Sequence, residues 1–176
     1  GLASAAKEST AASCIPSSIS SVSRRCRMSN AADAISLARQ HPAVLSALRE
    51  ILAQAERDVV AMGLSCEGCG HCCDFAAAGH RLYASTAEIA LVLSAGNPAD
   101  ANELRCGYQQ DGLCLARDVR PLGCRMYFCN EDHRDFQALY ETTHQAIREL
   151  HRSENIPYFY VELTGILRQY RKDAKD

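Results

Sequence analysis

Between Pro42 and Met62, the residues Val44, Leu45, Leu48, Ile51, Leu52, Ala55 and Val59 recur every three or four positions. That period lays one apolar stripe along an α-helix. Pro42 suits the first helical turn and Gly63 the stop. A shorter helical piece, Ala31 to Arg39, precedes it. Ser85 followed by Glu88 forms the pattern of a capping box, which opens a helix running to about Ala95, where Gly96 and Pro98 end it. Arg81 to Tyr83 has the character of a short strand. Asp111-Gly112 is the expected turn between two short strands. Asn130 can cap a further helix, with Glu131, Asp132 and Asp135 near its positive end. Phe136, Leu139, Tyr140, Ile147 and Leu150 supply that helix with a buried face. After Pro157, the spacing of Phe159, Leu163, Ile166, Leu167 and Tyr170 again predicts a helix, and the Tyr158-Phe159-Tyr160 trio is expected in the core. His133, His144 and His151 have polar neighbours and are expected in solvent.

Residues 1–30 break this patterning. They are rich in Ser and Ala, and Lys7, Arg24, Arg25 and Arg27 against Glu8 give them a charge of +3. Such a stretch buries too little to offset its ordering entropy, so a disordered tail is expected. Its scarcity of acidic residues resembles a transit peptide weakly. Met28, the first methionine, is a candidate translation start. One domain over residues 31–176 then remains, without an internal repeat. The pattern predicts a mainly α fold with a small irregular β-hairpin, its helices packed around a cysteine-rich metal-binding centre.

Composition narrows the function. A formal net charge of −2 argues against a broad nucleic-acid surface, and no apolar run approaches the roughly 20 residues of a bilayer span. Neither nucleic acid nor membrane is therefore an expected partner. Ten cysteines admit a disulfide framework or a set of metal-bound thiolates. The chain is longer than the domains that depend on disulfides, and residues 1–30 lack a secretory signal. Metal-bound thiolates in a reducing, cytoplasmic setting are the expectation.

The strongest signal is Cys66-Glu67-Gly68-Cys69-Gly70-His71-Cys72-Cys73. A two-residue gap lets a tight turn aim two sulfurs at an ion about 2.3 Å away. Gly68 and Gly70 permit positive φ and free backbone N–H groups to point at sulfur. The repeated gap puts three thiolates in one loop, as in ferredoxin-type cluster loops, with a fourth ligand from elsewhere. Cys106, Cys114, Cys124 and Cys129 form a second, looser group on a hairpin and its return loop. Adjacent Cys72 and Cys73 point in different directions in most backbones, so either they face two metals or one is packing. His71 is outcompeted by its cysteine neighbours, and His80 is placed to donate to that loop. Arg120 and Arg125, beside Cys124, can offset thiolate charge and donate to sulfur; ion pairs with Asp118 or Glu131 are the plainer alternative. For Arg117 the plainer alternative is preferred. No Gly-rich phosphate loop or paired-carboxylate site is present, so no catalytic residue is assigned.

Cys66-x-x-Cys69-Gly70-x-Cys72-Cys73, Cys106 through Cys114-Leu115, and Arg120-Pro121-x-x-Cys124-Arg125 together resemble the YkgJ-like cysteine-cluster family, described as zinc- or iron-chelating. In that family an aromatic residue follows the Cys-Arg pair; here Met126 intervenes before Tyr127. The matched blocks span about residues 66–129. The resemblance implies an iron–sulfur cluster or zinc, held by the eight cysteines from Cys66 to Cys129, and the three cysteines in one loop favour [4Fe–4S] over zinc. Some relatives resemble flagellin lysine methylases, so a cluster-dependent protein-modifying enzyme is one alternative. A zinc-stapled interaction module with an unknown protein partner is another.

Overall fold

The computed structural model describes residues 30–64, 66, 68–99, 104–128 and 136–171. The tail and its candidate start, Cys129, and the Asn130 cap with its acidic neighbours lie outside them. The described residues form a mainly helical fold with two small antiparallel sheets. None of its helices is long and apolar enough to cross a membrane.

Helix α1 (Ala31–Arg39) begins where the Asn30 side chain accepts from the Asp33 N–H at 2.9 Å. Helix α2 (Pro42–Ala61) starts on proline and buries Val44, Leu48, Leu52, Ala55 and Val59, the stripe its spacing predicts. Both pack on α4 (Thr86–Val92), every residue of which is buried. A helix enclosed on all sides needs apolar residues all round, and Ile89, Ala90, Leu91 and Val92 supply them. Helix α6 (Gln137–Ser153) lies against α2 and buries Ile147 and Leu150.

Enclosure also strands the amino end of α4, because the first N–H groups of a helix lack intrahelical partners. Here each has one. The Thr86 N–H donates to the Phe159 carbonyl at 3.0 Å. The Ala87 N–H donates to His151 Nε2 at 3.4 Å, and the Glu88 N–H to Ser85 Oγ at 3.4 Å. Glu88, only 2% exposed, closes the capping box through the Ser85 N–H at 2.8 Å. Its other oxygen accepts from the Leu122 N–H, also at 2.8 Å, and so fastens α4 to α5 (Leu122–Arg125).

Two findings correct the expectations for the carboxyl-terminal third. The segment after Pro157 is first a strand, β4 (Tyr160–Glu162), paired antiparallel with β1 (Tyr83–Ser85) in the register Tyr83↔Glu162; only then does α7 (Leu163–Leu167) begin. A strand of three residues leaves little periodic signal. The tyrosines are accordingly outside the core: Tyr160 is exposed, and its hydroxyl meets that of Tyr140 at 2.6 Å. His151 is not in solvent but 2% exposed, its Nδ1 against the Ile156 carbonyl at 3.2 Å. The expected hairpin is present as β2 (Gln109–Gln110) and β3 (Leu113–Cys114), turning at Asp111-Gly112.

Candidate metal centre

The first cysteine loop follows α2 and ends in a 3-10 turn, His71–Cys73, that runs into the short helix α3 (Phe75–Ala78). Gly70 precedes the turn at φ +74°, and a Cβ there would come within 2.9 Å of the Gly112 carbonyl. The loop is thus pressed against the tip of the β2–β3 hairpin at a place that only glycine fits. A second tie is an antiparallel bridge, Asp74↔Arg105, flanked by a hydrogen bond from the Cys106 N–H to the Cys73 carbonyl at 2.8 Å. These contacts bring the two distant cysteine groups together.

Cys72 and Cys106 each lie near enough to the Cys73 thiol to be felt in the ionisation of these groups. Cys114, on β3, and Cys124, on α5, are close enough to Cys72 and Cys73 for their charges to interact. Cys66 is coupled to Cys72 in the same way. The seven described cysteines are all free thiols. Cys69 is exposed, and the His71 side chain also faces solvent. His80 Nε2 meets the Cys72 carbonyl at 3.0 Å while its ring stacks on Tyr127. Among the described residues, no three His, Cys, Asp or Glu side chains are gathered around a single point as ligands of one ion.

Packing thiols so closely makes their ionisation costly. The Cys73 thiol is pushed up to about 12, first by the neighbouring Cys106 thiol. Cys72 is raised further, by the Cys73 thiol and by burial. Burial raises Cys114 and, well above the ordinary value, Cys124. Cys66 is the exception. Burial would raise it, but the Gly68 N–H and the Arg117 and Arg120 guanidinium groups outweigh that and hold it below the usual thiol range.

Arginines gather on the Cys66 side. Arg117 donates to Cys66 Sγ at 3.7 Å and to the Cys66 carbonyl at 2.8 Å, so it engages the cysteine loop and is not merely a surface partner for Asp118. Arg120 and Arg125 are both buried, and both reach Glu56 of α2, Arg120 at 2.9 Å. Arg125 also donates from Nε to the Arg120 carbonyl at 3.0 Å and from Nη2 to the Asp118 carbonyl at 2.9 Å. Asp118 therefore enters through its backbone, and the carboxylate partner is Glu56, which sequence reasoning had not singled out. Nothing in its local sequence marks it out, because its partners lie 64 and 69 residues later. Arg120 and Arg125 share the Glu56 carboxylate while Arg117 engages Cys66, which leaves positive charge beside the thiols. Arg120 Nε is buried with no hydrogen-bond partner among the described residues.

No protein-family model matches the chain, and no curated protein or solved structure is significantly similar to it.

Proposed function

We propose that this is a metal-binding protein whose cysteine thiolates hold an iron–sulfur cluster, with zinc as the alternative occupant, in the reducing environment of the cytoplasm. The observation that carries the reading is the approach of thiols from two stretches to one another beside an excess of guanidinium charge. Membership of the YkgJ-like family belongs to the same proposal.

The donor chemistry fits such a group. Cys72, Cys73, Cys114 and Cys124 resist ionisation as they stand, and a cation shared by them and Cys106 supplies the positive charge that stabilises the thiolates. Cys66 and Cys69 are further donors from the same loop, and Cys129 belongs to the proposed set on its sequence position. Arg120 and Arg125 offset the charge of the assembled thiolates, and Arg117 does the same at Cys66. A buried N–H left bare costs roughly 1–3 kcal/mol. Arg120 Nε would lose that cost beside an acceptor such as a bridging sulfide, which a cluster contains and a lone zinc ion does not. An iron–sulfur cluster supplies one-electron chemistry when bound; the residues named here position it and balance its charge.

The test is metal and acid-labile sulfide analysis of protein purified without oxygen. Iron and sulfide in equal amounts, with broad absorbance near about 400 nm from thiolate-to-iron bands, are expected. Stoichiometric zinc in a colourless protein would overturn the cluster assignment, and absence of iron, sulfide and zinc would overturn the proposal as a whole.

A further inference from the structure

The cysteine pair at the Asp74↔Arg105 bridge has a geometry of its own. Cys73 and Cys106 flank that bridge on the side where the Cys106 N–H donates to the Cys73 carbonyl. Only one of the two bonds of a regular antiparallel pair is made, because the Cys73 N–H donates to the Gly70 carbonyl at 3.1 Å and the Cys106 carbonyl accepts from the Gln109 N–H, but that one bond holds the two backbones side by side. Disulfides join Cα atoms about 4.4–6.8 Å apart, the range in which a backbone hydrogen bond of 2.8 Å holds two adjacent segments. The Cys106 thiol is near enough to make ionisation of Cys73 harder. The Cys72 pKa is raised by Cys73 in turn, but neighbouring Cα atoms lie about 3.8 Å apart across a trans peptide, too close for an unstrained disulfide. Access differs as well. Cys106 lines an open cavity of about 650 Å³, walled by Asp74, Ala76, Ala99, Gln109 and Leu115 among others. Cys73 is not among the residues that line it.

We propose that Cys73 and Cys106 form a redox modification site, at which a hydroperoxide entering through this cavity joins the two sulfurs as a disulfide when no metal is bound. The Cys106 thiolate attacks one peroxide oxygen, the O–O bond breaks, and hydroxide leaves, giving a sulfenic acid on Cys106. The Cys73 sulfur then attacks that sulfur; the S–O bond breaks as the S–S bond forms. With hydrogen peroxide, the two thiol protons end in two molecules of water. Each sulfur gives up one electron, and the peroxide takes both. The cross-link consumes two of the thiols assigned to the metal, so oxidation and metal loading exclude each other; that second statement rests on the proposed metal centre, whereas the cross-link itself does not.

Full-length chain stripped of metal with a chelator and treated with one to two equivalents of hydrogen peroxide provides the test, after alkylation, digestion without reductant and fragment-ion mass spectrometry. A Cys73–Cys106 cross-link is expected as the dominant product, retained in Cys69→Ser and lost in Cys106→Ser, with circular dichroism confirming that each variant is folded. Should Cys106→Ser fail to fold, the map of the unaltered chain decides alone. A dominant linkage between any other pair, or Cys106 carried on to sulfinic acid without a cross-link, would overturn the assignment. Protein first loaded with zinc, or with iron and sulfide, should form the cross-link severalfold more slowly. An unchanged rate in loaded protein overturns the mutual exclusion. If neither zinc nor iron is retained, the metal centre fails while the cross-link is still judged on its own map.

Discussion

Glu56 is the carboxylate on which Arg120 and Arg125 both depend, and Glu56→Gln isolates its contribution. Hydrogen bonds to charged groups contribute about 1.5–3 kcal/mol each when buried. The two guanidinium groups are buried, but the Glu56 side chain is 44% exposed, so solvent compensates part of any loss and the lower end applies. Glutamine keeps one acceptor oxygen and turns an amide N–H toward a guanidinium. The net expectation is a loss of about 2 kcal/mol, or roughly 4–8 °C in Tm for a domain of this size. Thermal melts of the metal-free protein measure it, and a double-mutant cycle with Arg125→Met assigns it. The coupling between the two positions should exceed about 1 kcal/mol, as expected for residues that share one network. Additive effects, or a Tm within a degree of the parent, would refute the view that Glu56 holds these arginines in place.

Three other outcomes follow from the same geometry. Burial holds His151 below its ordinary pKa of 6.5, while Nε2 accepts the Ala87 N–H, so the fold favours the neutral ring. The unfolded chain takes up a proton more readily, so this contribution is intact above pH 6.5 and declines below it, by at most about 1.4 kcal/mol per pH unit. Urea denaturation at pH 7.5 and 5.5 should show a smaller acid loss in His151→Gln than in the parent, and equal losses would count against it. Gly70→Ala places a Cβ near the Gly112 carbonyl at a left-handed φ, a backbone cost of about 1–2 kcal/mol; if the proposed centre exists, the variant should yield metal to a chelator faster. Leu52→Ala, emptying a fully buried site in α2, should cost about 3 kcal/mol in denaturant titration.

The long periodic elements were legible in the sequence because one face of each meets the interior: α1 and α2 occupy their expected spans almost to the residue. The Ser85–Glu88 box was equally readable, since the motif is local. Strand β4 was not, as its three residues are defined by pairing with β1 from 75 positions earlier or more. The apolar content around Phe159 and Leu163 fits either state. His151 was misplaced for a related reason. Its neighbours in sequence are polar, but its partners are Ala87 and Ile156, and a buried imidazole is accommodated by acceptors and donors that no local pattern records. At the cysteines, spacing identified the thiols and flagged Arg120 and Arg125. It could not find Glu56, which lies 64 residues before Arg120, nor rank Arg117, whose reach to Cys66 depends on how the loop is folded back.

The way the amino end of α4 is satisfied bears on how short this polypeptide can be made. A version stopped after Ser153 would keep every sulfur atom described here, yet it would remove Phe159, which receives the Thr86 amide, and Ile156, which orients the imidazole serving Ala87. Two amides at the centre of the molecule would then open onto water or onto nothing. The residues from Ile156 to Phe159 are therefore part of the scaffold on which the cysteine-bearing half is built, and the minimal folding unit includes them.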